Sequence, residues 1–215
     1  MIFLAFEGLD GSGKSSLMNR LAQYLDQNLD QYKTSYIQTR EPGGTQVGDD
    51  IREIILRKSS EHPMPKAELL LYQASRAQHV ELIIKPALDK KQWVLCDRFT
   101  ASSIAFQAGG RNISLSEVNW LNHFSTSGLK PNLNILLDLT VDESENRRTH
   151  RQNAKGTEAD RMESEKKDFH KRVRQGFLDE AARNKKEWLV LDAAKSPEVL
   201  FQELLSELKG RQWLS

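Results

Sequence analysis

Eight residues near the start of the chain form the pattern G-x-x-x-x-G-K-S, in the run Gly8-Leu9-Asp10-Gly11-Ser12-Gly13-Lys14-Ser15. Glycines let the backbone turn so that successive N–H groups point at one anion. The lysine adds an ammonium group for phosphate oxygens, and the final serine adds a hydroxyl that can ligate Mg²⁺. The pattern therefore predicts a phosphate-binding loop (P-loop), although average residue usage gives such a match by chance in about one chain of this length in a hundred.

The flanking residues decide between these alternatives, because the motif is informative only between a strand and a helix. The apolar run Ile2–Phe6 precedes it, and apolar residues at helical spacing follow from Leu17 to Leu25. The start of that helix adds partial positive charge beside bound phosphates. We therefore expect this segment to bind the phosphates of a nucleotide through Gly8, Asp10, Gly11, Ser12, Gly13, Lys14, Ser15 and Ser16.

A second pair of charged residues, Asp97 and Arg98, directly follows the apolar run Trp93–Cys96. A carboxylate at a strand end near a P-loop is placed to ligate Mg²⁺ or its water shell. The planar guanidinium beside it suits a second phosphate group, which it can bind through two nitrogens. Away from a P-loop, the same two residues would equally well form a structural ion pair.

Two further segments carry candidate substrate residues. The Pro-Gly-Gly sequence after Glu41 predicts a tight turn, and its acid and proline either belong to that turn alone or line the floor of a pocket. Tyr72 and Arg76 are four residues apart and so share one face of a predicted helix. This pair can stack on a base and bond its edge, although spacing alone favours an ordinary surface pair on an amphipathic helix.

A basic run from Arg147 to Arg151 opens a polar segment that contains Gly156 and reaches Arg161. We expect residues 147–161 to form a mobile loop, or lid, between two helices. The P-loop contains no arginine, so an arginine of this lid is predicted to neutralise charge during phosphoryl transfer. The alternative is an ordinary solvated basic face.

The bulk composition restricts the classes of function. The 215 residues are 38% hydrophobic and 28% charged, as in a soluble globular protein of one domain. A net charge of +1 gives no overall field that would favour nucleic acid or a membrane surface. The one cysteine, Cys96, excludes an internal disulfide framework, and the apolar residues 2–6 are too few for a signal peptide or a membrane span. We therefore expect a cytoplasmic protein.

Apolar runs alternate along the chain with helical patterns, which is typical of an α/β fold. The runs predicted as strands are apolar on both faces, as in a covered parallel sheet, and are Ile2–Phe6, Ser35–Gln38, Trp93–Cys96, Leu133–Leu139 and Trp188–Leu191. Helices are predicted near residues 14–27, 47–57, 66–85, 102–107, 115–127, 142–150, 161–185 and 197–209. The expected fold is a three-layer, doubly wound, five-stranded parallel sheet with ligands at the carboxyl ends of its strands.

Five segments together resemble thymidylate kinases of the bacterial type, which are P-loop nucleoside monophosphate kinases. The segments are Phe6–Ser15, Arg40–Thr45, Leu71–Arg76, Asp97–Gln107 and Asp160–Glu163. The likeness runs through nearly the whole chain, which implies a single P-loop kinase domain over residues 1–215 with a lid near residues 147–161. It also implies in-line phosphoryl transfer from Mg-ATP to dTMP in dTTP biosynthesis, by a homodimer with no nucleic-acid or membrane partner.

The resemblance assigns expected roles to the residues that match the family's motifs. Asp10 would bond the 3′-hydroxyl of deoxyribose, and Arg98, with Arg40 as a weaker candidate, would hold the phosphate of dTMP. Tyr72 would stack on thymine, and Arg76 would bond a carbonyl group of the base. The other expected substrate residues are Glu41, Pro42, Ser102, Ser103, Phe106, Gln107 and Asp160. The expected metal ligands are Ser15 and Asp97, and the expected catalytic residues are Lys14, Arg98, Arg148 and Arg151.

Two features depart from the family pattern. The family usually has tyrosine at the position of Phe106, and the bulk of that tyrosine disfavours a ribose 2′-hydroxyl. Phenylalanine keeps the bulk but loses the phenol, which leaves the discrimination against ribonucleotides open. The lid is also longer than is common between Arg151 and Asp160, so whether Arg148 or Arg151 contacts the transferred phosphate stays open.

Two other functions fit part of the sequence. One is a kinase for another nucleotide or for a deoxynucleoside, but Arg98 and Arg40 together favour a phosphorylated acceptor. The other is a guanine-nucleotide switch, because Asn184–Glu187 partly matches a guanine-specifying motif. That motif should follow a strand and end in Asp, whereas this run precedes a strand and ends in Glu.

Overall fold

Short apolar runs form the five strands in the computed structural model, which describes residues 1–28, 32 and 34–214 and their side chains apart from that of Lys155. The strands are β1 (Phe3–Glu7), β2 (Tyr36–Arg40), β3 (Trp93–Asp97), β4 (Leu133–Asp138) and β5 (Trp188–Asp192). All five coincide with the predicted runs, apart from small shifts at their ends. The side chains of β1, β3 and β4 are almost all buried, because helices cover both faces of the sheet.

All neighbouring strands are parallel, and their order across the sheet is β2-β3-β1-β4-β5. β1 therefore lies in the centre, between β3 and β4. In this register Phe6 is level with both Asp97 and Ile135, so the loops that follow β1 and β3 begin side by side. The predicted α/β fold with a five-stranded parallel sheet is confirmed.

Nine α-helices connect and cover the strands in the described part of the chain. They are α1 (Lys14–Gln27), α2 (Gln46–Leu56), α3 (Pro65–His79), α4 (Lys85–Asp89), α5 (Thr100–Ser103), α6 (Leu115–Thr126), α7 (Val141–Lys155), α8 (Lys167–Arg183) and α9 (Pro197–Gly210). Thr45 caps α2, because its hydroxyl accepts a hydrogen bond from Gly48 N at 3.0 Å. Prolines begin α3 and α9, where the missing N–H loses no helical bond.

Two π-helical turns interrupt segments that the sequence predicts as single helices. Val80–Ile84 joins α3 to α4, and Ile104–Gly110 extends α5. The first turn has a clear cause in Pro86, which has no N–H to continue the α-helical ladder. The N–H of Lys85 bonds instead to the carbonyl oxygen of Val80, which is the wider spacing of a π turn.

The basic run is helical, so the prediction of a loop over residues 147–161 is wrong for its first part. α7 continues to Lys155, and Gly156 ends it with a φ of 62° in the left-handed region. Residues 141–155 contain neither glycine nor proline, so their polarity reflects an exposed helix face and not a loop. The connecting loop covers residues 156–166; the helix before it is longer than predicted, and the helix after it begins later.

The core lies on both faces of the sheet. Leu4 and Phe6 pack with residues of α1 and α9, whereas Phe3 and Ala5 pack with residues of the first π turn. Alternate side chains of a strand lie on opposite faces, which accounts for this division. A third cluster joins Phe106 of the second π turn to α8. No helix in the described part of the chain is long and apolar enough to cross a lipid bilayer.

Candidate active site

The loop between β1 and α1 has the backbone shape that its glycines permit. Gly8, Gly11 and Gly13 have φ angles of 131°, 81° and 97°, which residues with side chains rarely adopt. At Gly8, a Cβ atom would also lie 2.5 Å from the carbonyl oxygen of Leu137 in β4. Lys14 turns back over this loop, where its Nζ donates to two carbonyl oxygens at 3.2 and 3.0 Å. The loop therefore has the predicted P-loop shape, and the Lys14 side chain lies within the turn that the loop makes.

A groove of about 670 Å³ runs along the P-loop. It brings the P-loop together with residues that follow β2 and β3 and with residues of α7. The predicted residues that line it are Asp10, Gly11, Gly13, Lys14, Ser15, Ser16, Arg40, Glu41, Asp97, Arg98, Arg151 and Asp160. Gly8 lies beneath the groove against β4, and Ser12 lines a smaller adjoining cavity.

Ser15 and Asp97 meet in this groove, where the Ser15 hydroxyl donates to Asp97 Oδ2 at 2.8 Å. β1 and β3 are neighbours in the sheet, so the two residues come together although they are 82 positions apart. Both offer oxygen ligands, which are the kind that Mg²⁺ prefers. The pair therefore has the ligand chemistry that the predicted Mg²⁺ site requires.

Asp10 and Arg98 form an ion pair, with Arg98 Nη2 2.7 Å from Asp10 Oδ1. Burial alone would raise the pKa of Asp10, but Arg98 and Lys14 outweigh burial and hold that pKa well below its ordinary value. Burial likewise disfavours the charge of Arg98, yet the carboxylates of Asp10 and Asp97 raise its pKa above the usual range. Both groups therefore remain ionised around neutral pH.

The backbone at Arg98 has a φ of 72°, which residues other than glycine seldom adopt. Glu7, fully buried at the end of β1, holds the next turn in place. Its carboxylate accepts hydrogen bonds from Phe99 N at 2.8 Å and from Ser102 Oγ at 2.6 Å. Burial raises the pKa of Glu7 to about 7. Sequence reasoning missed Glu7, although an acid at the end of an apolar strand was an available signal.

A second, narrower cavity of about 70 Å³ lies on the other side of the Asp10–Arg98 pair. Its walls come from the P-loop, the turns after β2 and β3, α2, α3, α5, the second π turn and the 156–166 loop. The predicted substrate residues that line it are Asp10, Glu41, Pro42, Tyr72, Arg76, Arg98, Ser102, Ser103, Phe106, Gln107 and Asp160. Arg40 lines the phosphate groove instead. Arg52, Leu56 and Met162 also line the second cavity and were not identified from the sequence.

Arg76 is only 2% exposed and is held mainly by protein groups. Its Nε donates to Glu41 Oε2 at 2.7 Å, and its Nη2 donates to the carbonyl oxygen of Phe99 at 3.0 Å. Its Nη1 donates to Ser103 Oγ at 2.9 Å and to Asn122 Oδ1 at 2.8 Å. Because a guanidinium has five N–H donors, one hydrogen of Nη2 remains for the cavity. Ser103 accordingly orients Arg76 as well as lining the cavity.

Two aromatic side chains give the cavity flat walls. Tyr72 lies one helical turn before Arg76 on α3, as the spacing predicts. Burial raises the pKa of Tyr72, so its phenol stays neutral. The guanidinium carbon of Arg98 lies 5.0 Å from the ring centroid of Phe106, which is a cation–π distance.

The candidate lid arginines point in different directions from α7. Arg151 is 46% exposed along its side chain, lines the groove, and places Nη2 2.5 Å from Glu163 Oε1. Arg148 is 7% exposed and is absent from the lining of the groove. It packs under Gly11 and donates from Nη1 to the carbonyl oxygen of Glu163 at 2.7 Å. Arg147, which was not singled out for catalysis, also lines the groove.

Comparison with known proteins gives consistent matches. The family model for thymidylate kinase matches residues 6–204. The thymidylate kinase of Bdellovibrio bacteriovorus is 53% identical over 214 residues, which cover 100% of this chain and 98% of that protein. The thymidylate kinase of Kosmotoga olearia is 44% identical, with 96% and 94% covered. The crystal structure of a thymidylate kinase from Ehrlichia chaffeensis superposes with a TM-score of 0.74 at 29% identity, with 96% and 98% covered.

Proposed function

This chain belongs to the thymidylate kinase family, and from that premise we propose that it transfers the γ-phosphoryl group of Mg-ATP to dTMP, which yields ADP and dTDP. The observation that carries the proposal is the meeting of two cavities at the ion pair of Asp10 and Arg98. One cavity follows the P-loop and suits the phosphates of a donor. The other has the flat walls and polar groups that suit a nucleotide base. Two anionic substrates held on either side of one arginine are positioned for direct transfer.

The donor triphosphate fits the groove beside the P-loop. Lys14 and the N–H groups at the start of α1 supply positive charge there. Ser12 Oγ is buried and has no hydrogen-bond partner among the residues described, so a phosphate oxygen would satisfy it. An adjoining cavity of about 290 Å³, lined by Arg147 and Ala193 among others, has room for the base of the donor.

Ser15 and Asp97 would hold Mg²⁺, directly or through water. When bound, the ion neutralises charge on the β- and γ-phosphate oxygens. The hydrogen bond between the two side chains keeps their oxygens close together before any ion binds.

The acceptor dTMP fits the second cavity, with its phosphate toward Arg98 and its base between Tyr72 and Arg76. Asp10 is ionised and accepts hydrogen bonds only, which suits the 3′-hydroxyl of deoxyribose. We propose that the 156–166 loop, which contributes Asp160 and Met162 to the wall of this cavity, serves as the lid of a single P-loop kinase domain.

The transfer is in-line and forms no covalent enzyme intermediate. The acceptor phosphate is already largely ionised near neutral pH, so no strong general base is required. Lys14, Arg98 and Arg151 offset the negative charge that spreads over the moving phosphoryl group. Closure of the lid excludes water, which limits wasteful hydrolysis of ATP.

The product dTDP is a precursor of dTTP, so we place the reaction in dTTP biosynthesis. We place the protein in the cytoplasm, in keeping with the free, buried thiol of Cys96. The proposed partners are the two nucleotides and a second copy of the chain, without nucleic acid or membrane.

The proposed reaction is tested with purified protein, Mg-ATP and a panel of nucleoside monophosphates in a coupled assay of ADP release. We expect kcat/KM to be highest for dTMP, because only thymine combines both carbonyl groups with the 5-methyl group. Ribothymidine monophosphate in the same panel measures how far Phe106 excludes a 2′-hydroxyl. An ADP release rate that dTMP does not raise above the rate without acceptor would contradict the proposal. Tight binding of GTP without turnover would instead favour a nucleotide switch.

An apolar surface on α3 and α6 supports the proposed homodimer. Leu70 on α3 is 56% exposed, and Trp120 and Phe124 on α6 are 64% and 71% exposed. The two rings on α6 stack at 5.6 Å, and α6 packs against α3. We propose that the three side chains belong to one face. Such a face suits a two-fold interface, in which each copy covers the same patch of the other.

We expect Phe124→Glu to shift the protein from dimer to monomer, because the interface would then bury an unpaired charge. Sedimentation velocity measures the mass of each species. Val199→Glu is the matched control, since Val199 on α9 is also exposed but lies outside this face. If the Phe124→Glu protein sediments with the same mass as the unaltered protein, either the interface lies elsewhere or the unaltered protein is not a dimer.

A further inference from the structure

Glu68 lies fully buried on α3, one helical turn before Tyr72. Its Oε2 accepts hydrogen bonds from Arg161 Nη2 at 2.6 Å and from Arg111 Nη2 at 2.9 Å. Its Oε1 accepts from Arg111 Nε and from Gln107 Nε2, both at 3.1 Å. One carboxylate thus joins α3, the second π turn with its following residue, and the 156–166 loop.

The cluster around Glu68 is balanced in charge. Arg111 also pairs with Glu165 at 2.7 Å, so two guanidinium groups face two carboxylates. Burial alone would raise the pKa of Glu68, but hydrogen bonds and positive charge from Arg111 and Arg161 lower it. Glu68 is therefore ionised, and an ionised carboxylate can only accept hydrogen bonds.

This acceptor decides which way the Gln107 amide points. An amide has one oxygen acceptor and one NH₂ donor, and only the NH₂ group can bond a carboxylate. With Nε2 held at Glu68, Oε1 is the end that remains for the substrate cavity, which Gln107 lines. No donor within the described ranges bonds to this oxygen, so it is available to a ligand.

We propose that Glu68 is a positioning residue for base specificity, which fixes the Gln107 amide so that the cavity selects bases with a hydrogen on ring nitrogen N3. The proposal rests on dTMP being the acceptor. Thymine and uracil have an N3–H donor between two carbonyl groups, whereas cytosine has an unprotonated N3 acceptor beside an amino group. An inward-facing Gln107 oxygen that lies opposite N3 accepts a hydrogen bond from the N3–H of thymine or uracil and repels the N3 lone pair of cytosine. The spare Nη2 hydrogen of Arg76 favours a neighbouring carbonyl group in the same way.

The same carboxylate also anchors the lid. Arg161 lies between Asp160 and Met162, which line the cavity, while its own side chain turns away to Glu68. Its backbone N–H donates to the carbonyl oxygen of Leu56 at 3.1 Å. Loosening this anchor would weaken all acceptors alike, whereas rotation of the Gln107 amide would change the ranking of the bases. The ranking therefore separates a positioning role from a purely structural one.

The decisive variant is Glu68→Gln, which keeps the shape of the side chain. Its new NH₂ group can donate to Gln107 Oε1, so the Gln107 amide can rotate and present Nε2 to the cavity. We expect the ratio of kcat/KM for dTMP to kcat/KM for dCMP to fall about ten-fold or more, with KM for ATP within about two-fold of its normal value. Because dUMP presents the same edge as dTMP, the dTMP:dUMP ratio should stay within about two-fold.

Two further variants serve as controls. Glu207→Gln makes the same change at a glutamate of α9 that pairs with Arg211 at 2.7 Å, and it should leave both the dTMP:dCMP and the dTMP:dUMP ratios unchanged. Gln107→Met removes the amide through which Glu68 acts. Adding Glu68→Gln to that background should produce no further fall in the dTMP:dCMP ratio, because the two residues act as one unit.

A folded Glu68→Gln protein with an unchanged dTMP:dCMP ratio would overturn the proposal. Should this variant fail to fold, Glu68→Asp keeps the charge opposite both arginines but reaches less far toward Gln107. We expect a lowered dTMP:dCMP ratio there too, and an unchanged ratio would again overturn the proposal. Absence of dTMP turnover in the unaltered protein would contradict the proposed function itself, which distinguishes that failure from a failure of the role of Glu68.

Discussion

Replacing Arg98 with alanine is expected to lower kcat/KM for dTMP by about 10²- to 10³-fold and to leave KM for ATP within about three-fold of its normal value. Arg98 lines both cavities and is already ionised beside Asp10. Its loss removes a cation that the incoming phosphate meets on binding and that also offsets charge during transfer. KM for dTMP should therefore rise and kcat should fall. Steady-state kinetics with each substrate varied in turn measure both effects.

Two variants define the controls for Arg98. Arg98→Lys keeps a positive charge but loses the two-point contact with phosphate, so its loss of activity should be intermediate. Arg40→Ala makes the same arginine-to-alanine change at a side chain that is 58% exposed, and it should cost less than about ten-fold in kcat/KM for dTMP. Thermal unfolding must accompany the kinetics, because Arg98→Ala leaves Asp10 without its partner. Normal dTMP kinetics in a folded Arg98→Ala protein would exclude Arg98 from the reaction.

Replacing Arg151 with alanine is expected to lower kcat by about 10³-fold with little change in KM for either substrate. Arg151 lines the phosphate groove, and its partner Glu163 is a carboxylate that it can exchange for phosphate oxygens. The contact gains strength as negative charge spreads over the transferred group, so the loss appears in kcat more than in binding. Single-turnover kinetics with saturating dTMP and Mg-ATP measure the transfer step directly.

Arg148→Ala is the matched variant, because Arg148 lies on the same helix, three residues before Arg151. Arg148 is buried under the P-loop, where a Cβ at Gly11 would lie 3.4 Å from its Cγ. Its removal should lower the melting temperature by a few degrees and affect kcat less than Arg151→Ala does. A normal kcat in Arg151→Ala, together with a large loss in a folded Arg148→Ala protein, would reverse the assignment.

The strands and the P-loop were predictable because each depends on local sequence. An apolar run such as Trp93–Cys96 forms a covered strand wherever it finds partners, and the glycine pattern of residues 8–15 specifies the backbone turns of its loop. Ligands lie at the carboxyl ends of parallel strands, and this rule predicted that Asp97 and Arg98 lie close to the P-loop. The parallel sheet is confirmed, whereas the catalytic and binding roles of these residues remain predictions.

The lid was predicted less well, for a physical reason. Residues 147–155 are polar and basic, a composition that an exposed helix and a loop share. The better signal was Gly156, since α7 continues until a glycine can adopt the left-handed conformation that ends it. The burial of Arg148 and the exposure of Arg151 then follow from their positions around α7, which the sequence shows only once the extent of the helix is known.

Glu68 illustrates what sequence patterns leave out. In the sequence it is an acid near the start of a helix, an ordinary place for a surface residue. Its partners Gln107, Arg111 and Arg161 are 39, 43 and 93 positions away, so only the folded chain brings them together. Arg52 escaped notice for the same reason, because its neighbours in the site lie on other elements.

β1 is synthesised long before both of the strands that flank it. It lies between β3 and β4, and the N–H of Phe3 bonds to Asn132, 129 positions further on. Such distant pairing delays the gain in contacts that offsets the entropy of loop closure. During translation, the apolar segment Phe3–Glu7 and the loop that follows it therefore lack a neighbouring strand on one side until β4 has been made. A nascent chain that stalls before β4 should therefore depend on chaperones and aggregate, and it should not bind nucleotide.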